Sequence, residues 1–145
     1  MSHATVLVIG DDVVAALAPY DENIPVESYV ETDGLTYTRN PNAKWDWWVE
    51  GGRWENVALI RYDGKNVTSC KRNELDLEAM SMRAEGLWYP FALVVDGVWH
   101  ERATLGWWAT EHNETMDEDE WSCTVAKMLA AAPPDATLTL VDFHI

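Results

Sequence analysis

Short apolar runs, separated by turn-forming residues, recur along the chain and predict its strands. The predicted strands cover residues 4–9, 26–30, 35–38, 57–62, 66–70, 91–95, 98–102 and 137–145. The run 91–95 is apolar throughout, which indicates a central strand that is covered on both faces. Asp96-Gly97 follows it and is a strong signal for a tight hairpin into the next strand.

Helical spacing of apolar residues is clearest between residues 117 and 132. The apolar stripe there consists of Trp121, Val125, Met128, Leu129 and Ala132. Acidic residues precede the stripe and complement the helix dipole, and Pro133-Pro134 ends the helix. Weaker signals predict a helix over 13–18 and another over 73–84, with Asn73 as its cap.

The last predicted strand is apolar on both of its faces. Alternation puts Leu138 and Leu140 on one face and Val141, Phe143 and Ile145 on the other. Together with the helices, this pattern predicts a single α+β domain over residues 1–145. Its sheet is mostly antiparallel and has helices packed on one face.

Residues 44–54 combine tryptophans, two basic residues and a diglycine, after a long acidic segment that we expect to cross the surface. An extended conformation would put Trp45 and Trp47 on one face and Asp46 and Trp48 on the other. Gly51-Gly52 then allows a turn with positive φ.

Indole rings beside a guanidinium are suited to hold a flat base and its phosphate, through stacking and bidentate hydrogen bonds. The predicted ligand-binding residues are Lys44, Trp45, Trp47, Trp48, Arg53, Trp54 and Arg61. Two alternatives stay open. The tryptophans could be core residues around a hairpin, with Arg53 paired to Asp46 or Glu50, or they could form a protein interface.

The chain is strongly acidic, with a net charge of −15 and a pI near 4.4. This charge argues against general nucleic-acid binding and against anionic membranes. Most of the basic residues nevertheless fall between positions 39 and 83, which makes the middle of the sequence a positive island or a charge-balanced, solvated segment. The absence of a signal peptide, the two cysteines and the lack of a long apolar run predict a cytoplasmic protein with free thiols.

Catalytic motifs are incomplete. His100-Glu101 begins a zinc-protease motif, but Thr104 stands where the second histidine belongs. His112-Asn113-Glu114 lacks the cysteine pair of a zinc deaminase. Asp142-x-His144 could orient an imidazole, but nothing near it in sequence completes a site. We therefore predict no enzyme activity, no metal site and no cofactor.

Three motifs resemble those of small, largely uncharacterised bacteriophage proteins, over about residues 40–145. They are W-D-W-[WY]-x-x-G-G-R-W at 45–54, an apolar D-G hairpin followed by G-W-W, and the ending V-D-x-H-I. The resemblance implies a phage origin and a binding role in the host cytoplasm. Some such families are immune-evasion proteins of the anti-CBASS type, homo-oligomeric sponges that sequester cyclic dinucleotides.

Two function hypotheses follow. In the first, the protein is a homo-oligomer that binds a small nucleotide signal without chemistry, through the tryptophans and the basic island. In the second, the acidic surface, above all residues 111–120, mimics nucleic acid and blocks a host defence enzyme. An enzyme acting on a small nucleotide is a weaker third hypothesis. Tryptophans that face solvent beside Arg53 would favour the first hypothesis, and a dry tryptophan cluster would favour the second.

Overall fold

The computed structural model describes residues 3–57, 59–81, 89–101, 103–105, 112–114 and 117–145. The strands are β1 (His3–Ile9), β2 (Tyr29–Val30), β3 (Thr36–Tyr37), β4 (Trp47–Glu50), β5 (Leu59–Ile60), β6 (Asn66–Val67), β7 (Ser69–Lys71), β8 (Ala92–Val95), β9 (Val98–Glu101), β10 (Ala103–Leu105), β11 (His112–Glu114) and β12 (Thr137–His144). The α-helices are α1 (Val13–Leu17), α2 (Leu77–Ser81) and α3 (Glu118–Ala131). Single 3₁₀ turns are formed by Ala18–Tyr20, Gly52–Trp54 and Arg72–Glu74. The fold is α+β, as the sequence predicts.

The main sheet has the strand order β4-β12-β1-β8-β9, and among these strands only β1 and β8 run parallel. β12 therefore lies inside the sheet. One edge of β12 pairs with β1 over its whole length, from Ile9 opposite Leu138 to His3 opposite His144. The sheet is mixed but mostly antiparallel.

The other edge of β12 is shared by two strands. β7 pairs with its first residues and β4 with its last. The change of partner falls at Leu140, whose N–H donates to the Thr68 carbonyl and whose carbonyl accepts from the Gly51 N–H, both at 2.9 Å. No backbone hydrogen bond is lost at the junction, so β12 stays straight and buried.

One face of the sheet packs against α3. Leu7, Leu93, Leu138 and Leu140 are fully buried there against Trp121 and its neighbours on the helix stripe. The Trp121 Nε1–H donates to the Pro90 carbonyl at 2.7 Å, so the indole is buried without an unsatisfied donor. Asp117 caps α3 through the Glu120 N–H, and the helix covers the predicted residues. α2 and β5 complete this side of the core.

The opposite face is covered by α1 and by aromatic side chains. Val6, Val94, Val141 and Phe143 are buried there. The residues that cover them include Val13, Leu17, Trp45, Trp48 and Trp99. The prediction that β8 is covered on both faces is confirmed, and so is the alternation of β12. The helices are divided between the faces, with α2 and α3 on one and the short α1 on the other.

The helix predicted over 73–84 is wrong in its start. Asn73 lies inside the 3₁₀ turn Arg72–Glu74 instead of capping a helix, because the Glu74 carboxylate accepts from the Lys71 N–H at 2.8 Å and closes a tighter turn. Leu75 is then extended, and α2 begins only at Leu77. Residues 82–88 lie outside the described residues, as do the G-W-W motif at 106–108 and much of the acidic stretch 111–116.

Both cysteines are free thiols, as predicted. Cys70 is buried in β7 and Cys123 is exposed on α3. Burial raises the pKa of the Cys70 thiol, which makes it the less reactive of the two. None of the helices in the described ranges combines the length and apolar character that crossing a membrane requires.

The position where β4 and β7 exchange at β12 allows a test of the core. We expect Leu140→Ala to lower the free energy of unfolding by about 2–5 kcal/mol, because the side chain is fully buried and leaves a cavity. Leu35→Ala is the matched control, since Leu35 is 61% exposed and should change stability by less than about 0.5 kcal/mol. Urea unfolding measures both. Equal losses in the two variants would contradict the fold described above.

Candidate functional site

The pairing of β1 with β12 brings together two histidines from opposite ends of the chain. His3 lies directly opposite His144, and His144 lies opposite Trp47 of β4 on its other side. Directly paired residues point to the same face of a sheet, so these three side chains form one row across three strands. The imidazole rings meet edge to face with centroids 5.3 Å apart. The row lies on the α3 side of the sheet, beyond the end of the apolar core.

Each imidazole is held by its own carboxylate. His3 Nδ1 lies 2.7 Å from Asp142 Oδ1, and His144 Nδ1 lies 2.7 Å from Asp46 Oδ1. An ionised carboxylate only accepts hydrogen bonds, so Nδ1 carries the hydrogen in both rings. This assignment leaves Nε2 of each ring to bind a proton or a ligand.

Asp142 is the buried member of the site, and its residue is 1% exposed. Its Oδ1 accepts from His3, while its Oδ2 accepts from the Arg53 backbone N–H at 3.0 Å. A buried carboxylate without partners would destabilise the fold by several kcal/mol, roughly, so these bonds are needed to keep it charged. The bond to Arg53 also ties the turn after β4 to the central strand.

Gly52 makes that approach possible. Its φ is +51° and a Cβ at this position would overlap the Asp142 carboxylate. Gly51, with φ of +71°, supplies the preceding left-handed step of the turn. The diglycine predicted as a turn is confirmed. Its reason is the close packing of backbone on a charged side chain as well as the change of direction.

Trp47 and Arg53 surround the imidazole pair on its open side. The Trp47 indole is 49% exposed and meets the His3 ring edge to face at 6.0 Å between centroids. The Arg53 side chain is exposed, and within the described part of the chain its guanidinium makes no ion pair or hydrogen bond. Arg53 does not pair with Asp46 or Glu50, which was the alternative considered for it.

Trp45 and Trp48 lie on the opposite face of the sheet from Trp47. Trp45 Nε1–H donates to the Leu17 carbonyl at 2.9 Å, and its ring meets that of Trp48 at 86°. The prediction that Trp45 and Trp47 share a face is therefore wrong. The cause is a bend at Asp46, which interrupts the alternation before β4 begins.

The remaining predicted residues are engaged elsewhere. Trp54 is half-buried against the α3 side of the core. Lys44 Nζ pairs with Glu101 at 2.6 Å, and Arg61 pairs with Asp63 at 2.6 Å. Of the predicted set, the structure brings together Trp47 and Arg53.

Sequence reasoning missed His3 and the role of Asp46, and it noted Asp142 and His144 without a partner for them. The one available signal was the apolar character of the two terminal strands, which are natural neighbours in a sheet. No spacing rule connects residues 3 and 144. Within the described residues there is no group of three or more His, Cys, Asp or Glu side chains that could hold a metal ion.

The chemical capacity of the site follows from these parts. Two imidazole Nε2 atoms can exchange protons, a guanidinium can bind an anion, and an exposed indole can stack on a flat ring. Comparison of the chain with protein-family models, curated proteins and solved structures found no match.

The dependence of Asp142 on Gly52 is testable by one methyl group. We expect Gly52→Ala to lower stability more than Gly64→Ala does, because both glycines have positive φ but only at Gly52 does the Cβ meet other atoms. The conformational cost common to both is roughly 1–2 kcal/mol. Urea unfolding gives the difference, and imidazole ¹⁵N spectra should show the His3 Nδ1 environment altered only in Gly52→Ala. Equal stabilities with an unchanged His3 signal would contradict the contact.

The Arg61–Asp63 pair makes a separate prediction about pH. The hydrogen bond from Arg61 lowers the pKa of Asp63 from 3.8 to about 2. A depressed pKa in the folded state stabilises the fold above pH 3.8, and this contribution is lost as the pH falls through about 2. A carboxyl ¹³C titration should show that midpoint, and Arg61→Gln should move it up toward 3.8. A midpoint that stays unchanged in Arg61→Gln would contradict the assigned cause.

Proposed function

We propose that this protein binds a small nucleotide at the site formed by His3, His144, Trp47 and Arg53. The observation that carries the proposal is an exposed indole beside an arginine that has no partner among the described residues. Large aromatic side chains are seldom left exposed without a use, and an arginine next to two imidazoles favours an anion over a cation.

The chemistry favours a nucleotide over a bare anion or a peptide. Trp47 offers a face for a base, and each base–aromatic stack contributes about 1–3 kcal/mol. Arg53 would bind the phosphate. The Nε2 atoms of His3 and His144 would accept hydrogen bonds from ribose hydroxyls or, when protonated, donate to phosphate oxygens.

The net charge of −15 favours a short ligand. A long polyanion would be repelled by the acidic surface around the site, whereas a mononucleotide or dinucleotide carries its few charges close to Arg53. The positive island therefore acts through one residue. Lys44 and Arg61 are neutralised by their own acidic partners.

The resemblance to phage immune-evasion proteins gives the proposal its biological form. The protein would sequester a cyclic dinucleotide signal in the host cytoplasm, as a non-enzymatic homo-oligomer. Trp47 covers one face of a base, and a second copy of the chain would cover the other.

A titration against cyclic and linear nucleotides tests the proposal. A ligand at 100 times its Kd should raise the free energy of unfolding by about 2.7 kcal/mol, visible as a rise in Tm. We expect Arg53→Gln to weaken binding by at least about tenfold, because a charge-assisted hydrogen bond contributes roughly 1.5–3 kcal/mol. Arg61→Gln is the matched control and should bind like wild type, since Arg61 belongs to a separate hairpin.

Equal affinity in the two arginine variants, or no binding of any nucleotide, would overturn the proposal. The second candidate would then be an acidic inhibitor of a host enzyme. It is favoured by one observation, the run of exposed acids Asp117, Glu118, Asp119 and Glu120 at the start of α3. Such a run could occupy the basic groove of a host protein partner.

A further inference from the structure

We propose that the His3–His144 pair cleaves the phosphodiester bond of a bound ribonucleotide by general acid–base catalysis. This inference rests on the proposed nucleotide binding and replaces storage of the ligand by turnover. It also departs from the expectation that the protein is not an enzyme. The observation behind it is the pair of carboxylate-anchored imidazoles, 5.3 Å apart between centroids, on one face of the sheet.

The anchoring decides what the rings can do. Each Nδ1–H is committed to a carboxylate, so each ring presents Nε2 with a fixed orientation. One ring in the neutral form is a base, and the other in the protonated form is an acid. Two imidazoles this close can contact oxygens of the same phosphate group, which is what proton transfer to and from a phosphodiester requires.

The nucleophile has to come from the substrate. Among the described residues, no serine, threonine or cysteine side chain is hydrogen-bonded to either imidazole. A hydroxyl or thiol of the protein would need such a bond to be activated. The 2′-hydroxyl of a ribose is already beside the 3′-phosphate, so a general base alone is enough to activate it.

The reaction balances without a further reagent. The neutral imidazole takes the 2′-hydroxyl proton on Nε2 while O2′ forms a bond to phosphorus. The P–O5′ bond breaks, and O5′ takes the Nε2 proton of the protonated imidazole. The products are a 2′,3′-cyclic phosphate and a free 5′-hydroxyl. Arg53 stabilises the negative charge that develops on the phosphoryl oxygens.

Asp142 and Asp46 are positioning residues in this scheme. Asp142 is buried and also bonded to Arg53 N–H, so it holds His3 rigidly. Asn at position 142 could donate a hydrogen bond to Nδ1 and would favour the other tautomer of His3. We expect Asp142→Asn to lower kcat with little change in KM, because substrate contacts are kept while the base is misaligned.

The experiment uses the whole chain with the ribodinucleotide adenylyl-3′,5′-adenosine and its 2′-deoxy analogue. Wild type should convert the first to adenosine and adenosine 2′,3′-cyclic phosphate, which chromatography separates. The deoxy analogue should bind but stay intact. His3→Gln and His144→Gln should each lower kcat by about a hundredfold or more. His100→Gln is the matched control, on β9 and away from the row, and should cleave like wild type.

The possible results separate the two proposals. Binding of the deoxy analogue without cleavage of the ribodinucleotide would overturn the catalytic proposal and leave nucleotide binding intact. Absence of binding would overturn both. Cleavage that persists in His3→Gln and His144→Gln, or cleavage of the deoxy analogue, would show a different chemistry and overturn the role of the pair. If His3→Gln unfolds because Asp142 loses its partner, His144→Gln still decides the question, since its partner Asp46 is partly exposed.

Discussion

The antiparallel pairing of β1 with β12 is the constraint on which the rest of the molecule depends. It buries apolar side chains on both faces of the sheet at once, because each strand alternates between the α3 core and the α1 core. A shift of one residue would exchange the two faces, so the register is strongly specified. The same register sets His3 against His144, and the site is thus a consequence of how the core is packed.

A charged side chain inside this framework connects the site to the fold. Asp142 continues the face occupied by Leu138 and Leu140, where an apolar residue would be expected. Its two oxygens are satisfied by His3 and by the Arg53 backbone, which in turn requires Gly52 to lack a side chain. The arrangement costs stability relative to an apolar residue of the same size, and such costs are common where a site is held in a fixed geometry.

Periodicity in the sequence was sufficient for β1, the β8–β9 hairpin, α3 and β12, because each carries a long or strongly patterned apolar face. It failed at Trp45, where one bend at Asp46 reversed the expected face, and at Asn73, where the Glu74 cap favoured a tighter turn. In the candidate site, Trp47 and Arg53 were predictable from local composition. His3 was not, since its neighbours in space are set by strand pairing across the whole chain.

The place of β12 in the sheet has a consequence for synthesis on the ribosome. β1 is made first, but its antiparallel partner is made after every other element, so the edge of β1 that β12 covers stays open through nearly all of translation. Contacts of such long sequence separation form slowly and leave apolar strand edges available to other chains in the meantime. Nascent chains of this protein are therefore substrates for chaperones until the last residues emerge, and no shorter nascent chain can contain the histidine pair.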